Sequence, residues 1–185
     1  MTIYLIRHGR TAGNLEKRYI GRTDEPLCGA GIAELKARQY PACDKVIASP
    51  MLRCVQTAGI IYPGMGQVIY EELRECDFGD FEGRNHAEMN GEPAYQAWID
   101  KGGMAPFPGG EDSTDFRRRS TEGFLKAVRE NNASTLAFVV HGGTIMSVLE
   151  RLAVPHKEFY EYMTDNGCGW VTVYDGGRIE ITGRI

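Results

Sequence analysis

His8-Gly9 and His141-Gly142 repeat one local pattern, in which a histidine closes a short apolar run, Ile3 to Arg7 in the first case and Leu136 to Val140 in the second. Short apolar runs rich in β-branched residues form strands buried on both faces of a parallel sheet, and open α/β sheets bind ligands outside the carboxyl ends of such strands. Both imidazoles are therefore expected to face one crevice. Arg7 stands beside His8, and Arg53 follows a third run, Lys45 to Ala48, at the start of a helical pattern. A guanidinium is a planar fork of donors that matches phosphate oxygens in pairs, as a lysine ammonium does not. Gly142 opens the segment after His141 and adds the backbone N–H groups of a helix start. Together these residues describe an anion pocket, and a neutral imidazole in such a pocket is a nucleophile. The other histidines, His86 and His156, lie among polar residues and read as surface groups.

The elements that position these residues follow from periodicity. Besides the three buried runs, helical patterns cover Gly31 to Arg38, Leu52 to Ile61, Ala94 to Asp100 and about Thr114 to Glu130. In the last, Phe116, Ser120, Phe124, Ala127 and Val128 share one face at steps of three and four, which predicts a core-facing helix. Ile145, Val148, Leu149 and Leu152 repeat that spacing directly after His141. Gly167 to Tyr174 and Arg178 to Ile181 read as two strands joined through Asp175, Gly176 and Gly177. The predicted fold class is α/β, a three-layer α/β/α sandwich around a mostly parallel sheet with an antiparallel member. Residues 84–113, rich in Gly, Pro and polar side chains around one short helix, read as a lid-like insertion over one sheet edge.

A chain of 185 residues with 42% hydrophobic content is expected to form one domain, residues 1–185. A net charge of -4 carries no footprint for nucleic acid. Arg117 to Arg119 is the only basic run, and it reads as a solvated helix face. No run is long and apolar enough to span a membrane, and Met1 to Arg7 does not read as a leader, so none is expected. The five cysteines are scattered without a CxxC pair, which argues against a disulfide framework or structural zinc and predicts a reducing cytosol.

The run Leu5-Ile6-Arg7-His8-Gly9-Arg10-Thr11-Ala12-Gly13-Asn14 resembles the RHGxTxxN signature of the histidine phosphatase superfamily, also called phosphoglycerate mutase-like. Ser49 to Ala58, Leu73 to Gly83 and Val140 to Gly143 resemble the family's other elements, in family order and over nearly the whole chain. The resemblance implies a metal-independent phosphomonoesterase without cofactor that works through a phosphohistidine. It makes His8 the nucleophile, Glu75 the proton donor, and Arg7, Arg53, His141 and Asn14 phosphate-binding residues, with Gly142 beside them. Arg10 and Cys28 depart from the family pattern outside this set, Cys28 standing where Thr or Ser would cap a helix better.

Two alternatives to a phosphatase are a phosphoglycerate mutase and a non-catalytic phospho-ligand binder. Every expected catalytic position is filled, which speaks against the binder. Ile20 replaces a hydroxyl residue of the mutases, and the chain lacks their longer insertions. A metal site on His8, His141 and Glu75 is disfavoured because two arginines repel a cation. Tyr95 to Trp98, the residues around Gly110 and the run Thr164 to Cys168 are similar to α-ribazole phosphatases, which implies α-ribazole 5'-phosphate as substrate, with Tyr95 and Trp98 as a stacking wall; broad-specificity phosphatases share most of these motifs.

Overall fold

A computed structural model describes residues 1–185. The chain order is β1 (Thr2–Arg7), α1 (Ala12–Leu15), α2 (Gly29–Ala37), β2 (Lys45–Ala48), α3 (Leu52–Ile61), β3 (Gln67–Ile69), α4 (His86–Met89), α5 (Pro93–Asp100), α6 (Ser113–Glu130), β4 (Thr135–Val140), α7 (Gly142–Leu152), β5 (Gly169–Tyr174) and β6 (Ile179–Arg184). The strands form one sheet in the order β3-β2-β4-β1-β5-β6. Strands β3, β2, β4 and β1 run parallel, while β5 pairs antiparallel with both β1 and β6. The expected antiparallel member is β5.

Alternation along the strands divides the core into two layers. Ile3, Leu5, Leu136, Phe138 and Val140 face one side with Phe124 and Ala127 of α6 and Ile145, Val148 and Leu149 of α7. Ile6, Ala137 and Val139 face the other, against Cys54 and Ala58 of α3. Helices thus cover both faces, which is why β1 and β4 read as continuous apolar runs. Residues 84–113 hold two short helices where one was expected, and Met89, Tyr95 and Phe107 from them build a third small core with Cys76, Phe81 and Phe116.

Most predicted bounds lie within two residues of those observed, and α3 matches from Leu52 to Ile61. Helix α6 starts where Asp112 Oδ1 accepts from the N–H groups of Thr114 (2.7 Å) and Asp115 (3.3 Å). Helix α2 starts with the same device from sulfur, Cys28 Sγ accepting from Gly31 N–H at 3.4 Å.

Arg117 to Arg119 correct the expectation of one solvated face. Consecutive helical residues point about 100° apart, so three arginines cannot share a face. Only Arg118 is solvated, with a side chain 61% exposed. Arg117 pairs with Glu150 at 2.9 Å and lies 3.8 Å over the Phe159 ring, and Arg119 pairs with Glu111 at 2.8 Å.

Phe124 is wholly buried between α6 and the sheet, with its ring 4.9 Å from that of Phe138. Phe124→Ala should lower the unfolding free energy by about 3–5 kcal/mol, measured by urea denaturation. Leu15→Ala at a half-exposed site should change it by less than about 0.5 kcal/mol.

Candidate active site

Parallel pairing of β1 with β4 sets Arg7 opposite Val140, so the next residue on each strand is a histidine leaving the sheet at the same end. The His8 and His141 rings lie 5.3 Å apart, edge to face. His8 Nδ1 donates to the Gly9 carbonyl at 2.7 Å, and Gly9 N–H donates to Thr57 Oγ1 at 2.9 Å. A backbone carbonyl can only accept, so this bond fixes the proton on Nδ1 and leaves Nε2 as a bare lone pair. Burial, reinforced by the charges of Arg53 and Arg7, holds the His8 pKa well below the ordinary histidine value, with the Gly9 carbonyl opposing.

His141 is neutral for the same reasons, burial first and then the Arg53 charge. Its Nδ1 accepts from Arg53 Nε at 3.3 Å, which places the ring proton on Nε2, donated to Ser49 Oγ at 2.7 Å. Arg53 is fully buried, and its other donors reach the carbonyls of Thr23 (2.9 Å), Gly21 (2.8 Å) and Ile20 (3.4 Å). Arg7 Nη1 donates to the Thr164 carbonyl at 2.8 Å, while its Nε is buried with no partner. The arginines elsewhere that are partly buried, such as Arg117 and Arg119, rest on carboxylates. Arg7 and Arg53 instead present positive charge balanced by no carboxylate contact, which an anion would balance.

Asn14 is oriented at the last turn of α1, where Oδ1 accepts from Thr11 N–H at 3.2 Å and from Asn166 Nδ2 at 3.1 Å, leaving the amide N–H groups free of protein acceptors. Glu75 Oε1 accepts from Cys76 N–H at 3.0 Å and Oε2 from Gly143 N–H at 3.3 Å. Burial raises the Glu75 pKa; those two N–H groups and the charges of Arg53 and Arg7 oppose the rise. Gly143 is required here, because a Cβ at that position would strike Glu75 Oε1 and stand 2.9 Å from the Phe116 ring.

A cavity of about 330 Å³ has Arg7, His8, Asn14, Glu75 and Gly142 among its lining residues. Arg53 and His141 do not line it and are wholly buried behind it, touching each other, with Arg53 resting on backbone carbonyls and His141 on the Ser49 hydroxyl. The sequence-predicted set is therefore brought together, five residues at the cavity and two in a layer beneath. The remaining walls are mostly apolar, from Ile20, Phe78, Trp98, Phe107, Phe116 and Phe159 with Tyr160 and Met163 at the rim, and include the polar Arg18, Ser113 and Arg117. Tyr95 is not part of this wall. It is buried behind Trp98, stacked on it at 6.1 Å between centroids, and its hydroxyl meets that of Tyr19 at 3.3 Å. Sequence reasoning missed Arg117, Phe159, Tyr160 and Met163 as cavity residues. The signal was a cluster of aromatic side chains and Met163 after α7 with no helical or strand period, of which Tyr162 is wholly buried in the main core while Tyr160 and Met163 stay exposed. His86 and His156 stand away from the cavity, as expected.

A family model described as histidine phosphatase superfamily (branch 1) matches residues 3–184. The adenosylcobalamin/alpha-ribazole phosphatase of Salmonella typhi is 30% identical over 182 residues, 94% of this chain and 90% of that one. A 2,3-bisphosphoglycerate-dependent phosphoglycerate mutase of Gloeobacter violaceus is 32% identical over 81% of this chain and 74% of its own. The crystal structure of the alpha-ribazole phosphatase from Shigella flexneri superposes with a TM-score of 0.86 and 25% identity, covering 98% of this chain and 95% of that one.

The two buried histidines predict an acid-sensitive fold. Below about pH 6.5 an unfolded chain takes up protons that folded His8 and His141 refuse, so stability is lost as pH falls through that value. Each histidine contributes a slope of up to about 1.4 kcal/mol per pH unit. Glu75 acts with the opposite sign, its protonated folded form losing advantage as pH rises above about 4.5. Unfolding free energies of wild type and His141→Gln, compared between pH 7 and pH 5.5, should therefore converge at the lower pH; parallel pH dependences would contradict the assignment.

Proposed function

This chain belongs to the histidine phosphatase superfamily, and on that premise we propose that it hydrolyses a small phosphomonoester through a phosphohistidine on His8. The observation that carries the reading is the His8 ring, locked by the Gly9 carbonyl with Nε2 bare, in a cavity that Arg7 also lines with its Nε unpartnered. In the first step the Nε2 lone pair attacks phosphorus in line and the bond to the ester oxygen breaks. Glu75 gives its proton to that oxygen, so the alcohol leaves neutral. In the second step Glu75, now a carboxylate, takes a proton from water as its oxygen attacks phosphorus and the P–N bond breaks. Inorganic phosphate leaves, and both side chains return to their starting forms.

Charge on the equatorial phosphate oxygens is met by Arg7, by the Asn14 amide and by Gly142 N–H at the start of α7, with the Arg53 charge acting from beneath, where neutral His141 helps to hold it. Fixed cations do here what a divalent metal does in other phosphatases, so turnover needs no metal. Burial serves both proton states. It keeps His8 neutral and nucleophilic, and it shifts Glu75 towards the protonated form that the leaving group needs.

The apolar wall favours hydrolysis of an aromatic-bearing ester over a mutase reaction. A phosphoglycerate brings a carboxylate as well as its phosphate, yet the cations at the rim are already paired, Arg18 with Glu88 and Arg117 with Glu150. An α-ribazole 5'-phosphate brings instead a flat base suited to Trp98 and Phe159, and the relative from Salmonella typhi is named an adenosylcobalamin/alpha-ribazole phosphatase and that from Shigella flexneri an alpha-ribazole phosphatase.

Two measurements test the reading. Rapid quenching without acid, followed by mass spectrometry, should find phosphate on His8, and turnover should persist in chelator; phosphate on another residue, or activity restored only by a divalent cation, would refute it. With α-ribazole 5'-phosphate, Trp98→Ala should weaken kcat/KM by a factor matching the loss of about 1–3 kcal/mol of stacking. Wild-type enzyme should release phosphate from this ester faster than it interconverts 3- and 2-phosphoglycerate.

A further inference from the structure

The loop that carries Glu75 has no ladder of its own. Residues Glu71–Leu73 form a single tight turn, and Arg74 to Asp77 follow without regular structure. Arg119, from the middle of α6, reaches this loop with all of its donors engaged. Nη1 donates to the carbonyls of Glu72 at 2.8 Å and Arg74 at 3.1 Å, and Nη2 reaches the Glu75 carbonyl at 3.5 Å. Nε and Nη2 hold the Glu111 carboxylate at 2.9 and 2.8 Å. Glu111 in turn ties down the far end of the loop, its carboxylate accepting from Asp77 N–H at 3.4 Å and its own N–H donating to the Asp77 carbonyl at 2.9 Å. Five donors of one guanidinium thus meet three backbone carbonyls and both oxygens of one carboxylate.

We infer that Arg119, braced by Glu111, is the positioning residue that fixes where the Glu75 carboxyl stands over the cavity. The inference rests on the proposed role of Glu75 as proton donor. Glu75 has only two side-chain hydrogen bonds, from Cys76 and Gly143, and both presuppose the loop path that Arg119 sets. The largest charge effects on the Glu75 carboxyl come from Arg53 and Arg7. What Arg119 adds is geometry, its donors spread over three carbonyls and a carboxylate, and only a fork with five donors can do so; a lysine ammonium has three donors diverging from one point. Arg119 itself lies outside the substrate cavity, in the wall of a polar cleft on the far side of Glu75.

A leaving-group comparison separates this role from general support of the fold. kcat/KM reports only the steps up to formation of the phosphohistidine. In that half-reaction an alkyl phosphate needs the proton from Glu75, whereas p-nitrophenyl phosphate expels a stable anion without it. For Arg119→Met, kcat/KM on an alkyl phosphate should fall about 100-fold, the low end for loss of a general acid, while the p-nitrophenyl value and the inhibition constant of inorganic phosphate stay within about 3-fold. Arg119→Lys and Glu111→Gln should show the same split with smaller losses, and they carry the comparison where Arg119→Met does not fold. Equal losses on both esters, weakened phosphate inhibition in parallel, or no loss on either would overturn the inference. Glu75→Gln is the control for its premise. If that variant keeps its rate on the alkyl ester, the proton-donor reading falls and the inference with it; if it loses that rate while the Arg119 and Glu111 variants do not, the inference alone falls.

Discussion

Pairing of β1 with β4 in the register that sets Arg7 against Val140 is the constraint on which the site depends. Because the strands are parallel neighbours, the residue after each emerges at the same sheet end, and both are histidines. A slip by one residue would turn Ile3 and Leu5 away from their layer of the core and exchange the faces on which Leu136 and Ala137 lie. The hydrophobic alternation that builds the two core layers is therefore also what brings the imidazoles within 5.3 Å. Flanking segments then fix each ring by its neighbours: Gly9 and Thr57 for His8, Ser49 and Arg53 for His141.

Electrostatically, the site is consistent only when an anion fills it. Two buried neutral histidines, a carboxyl that favours its proton and two guanidiniums resting on carbonyls and an imidazole leave net positive charge in a poorly solvated place. Such an arrangement lowers stability, since desolvating an unpaired charge costs several kcal/mol. The rest of the fold offsets this with the core of α6, α7 and the sheet. A dianionic phosphate bound among Arg7, Asn14 and Gly142 would relieve the same imbalance, and further phosphoryl charge developing in a transition state would do so more strongly.

The sequence made the sheet and the cavity floor legible because both rest on short, local signals. Continuous apolar runs ending in His-Gly mark β1 and β4, and the step of three and four marks the buried face of α6 from Phe116 to Val128. Strand β3 escaped notice because its three residues lie at a sheet edge, with Val68 and Ile69 exposed, so no burial pattern reaches the sequence. That Arg53 and His141 lie beneath the cavity was also hidden, since residue type tells which groups attract an anion and not which carbonyls claim their donors first. Arg117 and Arg119 were misread for a related reason. Their carboxylate partners, Glu150 and Glu111, come from other elements, and composition within one helix carries no trace of them.

Floor and walls of the cavity are built from different parts of the chain and held by different forces. The floor sits on strand ends and helix starts, where backbone hydrogen bonds set positions to a fraction of an ångström. Much of the wall hangs on residues 84–113, on the start of α6 and on the turn at Phe159–Tyr162, with a small aromatic core of its own behind it. Glu75 connects the two parts, accepting from Gly143 N–H of the floor, and Phe116 stands close enough that a side chain at Gly143 would strike it. Side chains such as Trp98 and Tyr160 can therefore be exchanged with little disturbance to His8 or Arg7, whereas a change that moves the Glu75 loop acts on the chemistry even from outside the cavity. On the proposed roles, selectivity among esters and proton delivery to them are separable, except along the line of contact that runs from Gly143 through Glu75 to the α6 arginine behind it.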